Sequence, residues 1–256
     1  MGVIKTIVVA FSMFSRIPMP QFAWDEKNMR YMLCAFPLIG AVIGGVIVLW
    51  TYLSSLLGFG GLLFAAGITL LPIVITGGIH LDGFCDTNDA LASNAPPERR
   101  REILKDSHAG AFAIIWLGVY LLAYFGFSAE LKADISAVLP VAVMPVLSRC
   151  LSGLSVLCFP TSASKGLLSA FRASAEKKRA TAVLLVVFVA AAAALVLLGG
   201  LAGGAMVCAG LLCMLWLYRM AMRKFGGMSG DLAGFFLQNA ELFMLAALVI
   251  VRAIIK

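Results

Sequence analysis

The sequence predicts an all-α, polytopic integral membrane protein with about seven transmembrane helices and a cytoplasmic N-terminus. Three observations carry that prediction. The 256 residues are 62% hydrophobic, with a mean hydropathy of +1.00. Only 13% are charged, against roughly 25% in an average soluble domain. Apolar runs near the ~20 residues that a spanning helix needs recur from about residue 31 to the C-terminus. They leave no room for a separate soluble domain, so 1–256 reads as one integral membrane unit.

The runs fall at about 31–57, 59–79, 110–128, 134–157, 181–201, 203–218 and 235–255. The fifth and sixth are parted only by the glycines between Gly199 and Gly204, which predicts a tight hairpin. Loop charge then sets the orientation. Lys5, Arg16, Lys27 and Arg30 precede the first span, and the loop at Gly58–Gly61 has no charge. Arg99, Arg100, Arg101 and Lys105 follow the second span; after the third, Lys132 is balanced by Glu130 and Asp134. Lys165, Arg172, Lys177, Lys178 and Arg179 follow the fourth, the hairpin is uncharged, and Arg219, Arg223 and Lys224 follow the sixth. Basic loops alternate with spans, which puts the N-terminus inside. Arg252 and Lys256 at the C-terminus are the exception. The run from Val3 to Phe14 is too short for a span and reads as an interfacial helix, not a cleaved signal.

That topology places every polar, motif-like segment (80–109, 158–180 and 219–234) on one face. Convergence on one face favours an enzyme using cytoplasmic substrates over a transporter. The net charge of +7 is accounted for by the loops, and the scatter of basic residues argues against nucleic acid as a partner. The six cysteines form no CxxC pair and read as small core residues. Two histidines cannot furnish the usual catalytic zinc site.

The most informative stretch is Gly77-Gly78-Ile79-His80-Leu81-Asp82-Gly83-Phe84-Cys85-Asp86-Thr87-Asn88-Asp89-Ala90-Leu91. On a helix, Asp82, Asp86 and Asp89 share one face. Carboxylates so close repel unless something neutralises them: a divalent metal, a basic ligand or a proton path. Oxygen ligands without Cys or His companions point to a hard cation, and Mg2+ is favoured where phosphate oxygens complete its shell. His80 is either a hydrogen-bonding neighbour of the site or an interfacial residue.

Arg101 and Lys105 form an i, i+4 pair suited to phosphate, and Asp106 and Ser107 could extend a metal shell. A glycine-rich turn, Gly226-Gly227-Met228-Ser229-Gly230-Asp231, precedes the last span. Its amides, at Gly227, Ser229 and Gly230, could hold phosphate, and Asp231 could ligate metal or act as a base. Glu241 lies inside the last span and needs a partner. Arg149, inside the fourth, either snorkels to the interface or faces the acidic cluster.

The 77–91 stretch resembles the hallmark of the cobalamin synthase family, the adenosylcobinamide-GDP ribazoletransferases. Phe14-Ser15-Arg16-Ile17-Pro18-Met19-Pro20, Lys105-Asp106-Ser107-His108-Ala109-Gly110-Ala111-Phe112 and Gly226–Asp231 agree in order and spacing. Family members often have Ala at the positions of Cys85 and Asn88, Arg at His108 and Thr at Ser229. The resemblance implies a transferase of the last steps of cobalamin (vitamin B12) biosynthesis, multi-pass in the inner membrane with its site facing the cytoplasm. Adenosylcobinamide-GDP and α-ribazole, or α-ribazole 5′-phosphate, would be its substrates, GMP its leaving group and magnesium its cofactor. Asp82, Asp86, Asp89 and Asp106 are the candidate metal ligands, and Asp82 and Asp231 the candidate bases. His80, Arg101, Lys105, Ser107, Arg149, Gly227, Ser229, Gly230 and Glu241 are candidate substrate contacts. The lipid bilayer is the implied partner, and a homo-oligomer is compatible with the sequence. A CDP-alcohol phosphotransferase, a polyprenyl-diphosphate enzyme and a cation-coupled transporter are the rival readings.

Overall fold

The computed structural model describes residues 3–20, 22, 29–106, 108–162 and 176–255. Ser107, most of the 158–175 segment, and Lys27, Lys165, Arg172 and Lys256 lie outside the described residues. The described chain is helical, apart from turns and one isolated bridge between Thr161 and Met228. The helices are α1 (Val3–Phe14), α2 (Met32–Leu56), α3 (Gly61–Thr76), α4 (Ile79–Ala92), α5 (Pro97–Ile103), α6 (Ala111–Ala129), α7 (Ile135–Cys158), α8 (Lys177–Met220) and α9 (Gly230–Ile254). A π turn, Ala221–Phe225, leads out of α8.

By length and composition α2, α6, α7, α8 and α9 can each cross a bilayer. The expected 59–79 span is only 16 helical residues, because Gly77 and Gly78 both adopt left-handed backbone and end α3. The chain then bends by 95° into α4. Only a residue without a Cβ takes two such conformations in succession at little cost. The acidic helix therefore turns sharply off the axis of α3.

α8 is a hairpin. Gly200 breaks its backbone at φ 56°, ψ −132°. A Cβ on Gly203 would fall 1.8 Å from the carbonyl oxygen of Leu195, so the chain has doubled back on itself. Both limbs run along α7: Leu184 lies against Gly153, Gly199 against Pro140, and Gly210 against Leu147 and Leu151. The division expected from the glycines is where the reversal occurs.

α7 is the central helix; every residue from Leu147 to Leu157 is buried. Two glycines of α2 let it approach α7 backbone to backbone. A Cβ on Gly40 would sit 2.4 Å from the Pro145 carbonyl oxygen, and one on Gly44 2.1 Å from that of Ala142. Close approach through small residues is how helices associate where lipid removes the hydrophobic drive. α1 packs Val9, Ala10 and Met13 on Met32 and Ala35 at the start of α2. Cys150 and Cys213 are buried as expected of core residues, but Cys158 and Cys208 are exposed.

The termini that carry basic residues meet at one end. Arg30 bonds Glu176, Arg179 bonds Tyr31, and Arg100 and Arg101 reach the carbonyls of Lys224 and Phe225. Arg252, the exception to the charge rule, lies at the opposite end and donates to the Ala137 carbonyl.

Gly44→Ala is expected to destabilise the protein by about 1–3 kcal/mol, because α2 and α7 must part. Gly45→Ala, whose Cβ meets nothing within 4 Å, is expected to be neutral or mildly stabilising. Thermal unfolding in detergent compares the two.

Candidate functional site

α4 presents Asp82, Asp86 and Asp89 as the spacing predicts, but the three do different things. Asp82 is exposed and Asp86 half-buried. Asp89 has a structural job besides: its carboxylate accepts from the amides of Gly110 (2.5 Å) and Ala113 (2.9 Å), capping α6 from another helix and leaving lone pairs over. A negative charge at a helix N-terminus is stabilising, which explains the choice of residue.

Asp231 supplies a third carboxylate, with one oxygen 3.5 Å from the Ser229 hydroxyl that donates to it. Ser229 caps α9, accepting from the Leu232 amide at 3.2 Å, and this sets where the helix begins. α9 crosses α4 at two glycines. A Cβ on Gly83 would lie 2.8 Å from Cα of Asp231, and one on Gly234 would lie 2.8 Å from the His80 carbonyl oxygen. Asp231 is thereby held beside Asp82 and Asp86. Burial, then the charges of Asp82, Asp231 and Asp89, push the Asp86 carboxyl up to about 6. Such crowding calls for a cation.

Among the described residues, no three Asp, Glu, His or Cys side chains close on one point as a preformed metal cage. That still suits Mg2+, which is usually held by one or two carboxylates, waters and substrate phosphate. Asp106 stands apart on the exposed loop. It accepts from the His108 amide (3.0 Å) and from Nδ1 (2.7 Å), and these bonds hold its carboxyl below the usual range. Asp89 and Asp106 share a pocket of about 430 Å³ with Ser93, His108 and Phe112.

Several predicted substrate contacts are braces in this structure. Arg101 donates to the Phe225 carbonyl (2.9 Å) and to Glu98 (3.2 Å), docking α5 on the π turn. Lys105 lies just beyond α5 and is exposed. The amides of Gly227 and Met228 are used by Ala221 (3.1 Å) and Pro160 (2.7 Å). A Cβ on Gly227 would strike Ser162 at 2.4 Å, so the turn is closed against the segment after α7, not open as a phosphate cradle. Gly230, the first residue of α9, is exposed. His80 is buried, with its ring 6.2 Å from that of Phe14 and 5.7 Å from that of Phe36. Burial, then the Arg149 charge, push its imidazole down to about 3, so it is neutral.

Arg149 and Glu241 find each other. Nη1 of Arg149 donates to Oε1 of Glu241 at 2.7 Å, and Ser148 donates to the same oxygen at 2.7 Å. Both charged side chains are at most 3% exposed. Arg149 does not snorkel; it ties α7 to α9, and its charge is felt at His80 on the acidic helix. Sequence reasoning missed Gly83, Gly234 and Ser148. A glycine inside a polar helix was the one available signal for the first two.

Fold and site together define a class: a helical membrane protein whose polar chemistry gathers at one end of the bundle, around carboxylates of two crossing helices. Residues 6–249 match the model of the cobalamin-5-phosphate synthase family, and the chain belongs to that family. It is an enzyme, a transferase of cobalamin synthesis. The chain is 44% identical over 252 residues to the adenosylcobinamide-GDP ribazoletransferase of Lachnoclostridium phytofermentans, covering 98% of this chain and 96% of that one. It is 34% identical to the enzyme so named in Desulfitobacterium hafniense (94% and 95% covered) and 30% identical to one in Clostridium perfringens (93% and 94%). No solved structure matches the chain.

Removing one partner of the buried pair, by Arg149→Met or Glu241→Gln, is expected to cost about 3–5 kcal/mol, because the other charge stays buried. The double variant is expected to regain most of that loss in the same denaturation measurement.

Proposed function

We propose that the protein joins adenosylcobinamide-GDP to α-ribazole or its 5′-phosphate, releasing GMP, at the cytoplasmic face of the inner membrane. The observation that carries this reading is the meeting of Asp82 and Asp86 on α4 with Asp231 on α9, in a chain of this family. The basic residues gathered at that end of the bundle support the cytoplasmic orientation.

The ribazole hydroxyl forms a bond to the cobinamide-linked phosphorus, and the bond from that phosphorus to the oxygen bridging to GMP breaks. The hydroxyl proton passes to a carboxylate, and the bridging oxygen leaves with GMP. Such transfers depend chiefly on positioning and charge neutralisation. Asp82 and Asp86, one turn apart, would hold Mg2+, which supplies Lewis acidity at the diphosphate when bound. Asp231 approaches from the other helix, half-buried, and is placed to take the proton. Lys105 adds positive charge at the far end of the acidic helix.

Asp231→Asn is expected to slow GMP release by about 10²- to 10⁴-fold with the magnesium requirement unchanged. Asp86→Asn is expected to raise that requirement. Because a cation must displace the proton that Asp86 holds up to about 6, half-saturating magnesium should rise as pH falls below 6, by at most about tenfold per pH unit. The assay is GMP and completed corrinoid from the reconstituted protein. Release of CMP or pyrophosphate from the corresponding rival substrates, or ion-driven uptake without turnover, would replace this reading.

A further inference from the structure

We infer that Arg16 is a substrate-binding residue whose guanidinium takes the diphosphate at the start of α4. The inference deepens the functional reading above and rests on it.

Arg16 sits in the Phe14–Pro20 segment, to which the site so far gives no role. The segment is fastened to the root of the acidic helix by three contacts. Phe14 packs its ring on His80 and, at 4.6 Å, on Phe36. The Arg16 amide donates to the Ile75 carbonyl at 2.8 Å, in the last turn of α3. The Arg16 stem then crosses the hinge: Cγ, Cδ and Nε lie 2.1, 2.7 and 3.2 Å from where a Cβ on Gly77 would be. Gly77 is thus glycine twice over, for its positive φ of 65° and for the arginine laid on it. Asp82, in the first turn of α4, follows five residues later.

The guanidinium itself is left over. Arg16 is exposed, and no hydrogen bond or ion pair engages its guanidinium among the described residues. The other arginines near the site are committed: Arg100 and Arg101 to the π turn, Arg149 to Glu241. α4 has no Lys or Arg, and its one histidine, His80, is buried and neutral. A diphosphate brought against Asp82, Asp86 and Asp231 needs positive charge besides a metal, and a planar guanidinium binds phosphate oxygens in pairs. Arg16 at one end of α4 and Lys105 beyond the other supply it from outside the helix.

The test measures KM for each substrate separately in reconstituted protein. Arg16→Gln and Arg16→Met, the second keeping the apolar stem, are each expected to raise KM for adenosylcobinamide-GDP by roughly 10- to 100-fold. KM for α-ribazole should stay within about twofold, and Arg16→Lys should recover part of the loss. A wild-type KM in Arg16→Met, or an equal rise for both substrates, overturns the inference. GDP binding by calorimetry decides it independently of turnover. Weakening in Arg16→Gln supports the assignment, and unchanged affinity overturns it even where the proposed reaction fails.

Discussion

The proposed site depends on how closely α4 and α9 cross. Gly83 and Gly234 remove the two Cβ atoms that would hold the helices apart. The gain is geometric: a carboxylate from a second helix comes beside two that already share a face. The cost shows in the Asp86 carboxyl, which burial first, and then the charges of Asp82, Asp231 and Asp89, push up to about 6. A fold that crowds like charges without a counter-ion of its own is built for a cation or a cationic ligand.

The rest of the bundle holds that crossing in place. α9 is secured below it by the Arg149–Glu241–Ser148 cluster, and again where the Tyr120 hydroxyl donates to Gln238. Asp231, Gln238 and Glu241 lie at seven- and three-residue steps, on one face of a largely apolar helix, with Gly234 between them at the crossing. Above the crossing, α5 clamps the π turn, and the turn is closed on the segment after α7. Arginines are spent on backbone carbonyls there because a π turn leaves acceptors that helix geometry does not satisfy.

Much of this was legible in the sequence. Helical spacing alone put Asp82, Asp86 and Asp89 on one face, and loop charge alone gathered the three polar segments at one end. Glycines at 199–204 announced the reversal seen at Gly200. What could not be read is pairing at long range. Glu241 needed a partner, but nothing local says that it is Arg149, 92 residues away. Asp89 reads as a ligand from its spacing, and only tertiary structure shows it capping α6. Gly77 and Gly78 read as the end of a span at about residue 79; their left-handed backbone instead ends the helix at Thr76 and makes a hinge. The glycine-rich turn looked like an open phosphate cradle because composition does not reveal that the amides of Gly227 and Met228 are already bonded.

In the proposed mechanism, turnover needs the two helices in contact, whereas a cation on Asp82 and Asp86 needs α4 alone. Gly234→Ala tests this most directly, since its Cβ would meet the His80 carbonyl oxygen at 2.8 Å and force the helices apart. The account predicts Mn2+ affinity close to wild type, read by electron paramagnetic resonance, together with a turnover loss of about 10²-fold from misplacement of Asp231. Wild-type turnover in a folded Gly234→Ala protein would contradict it.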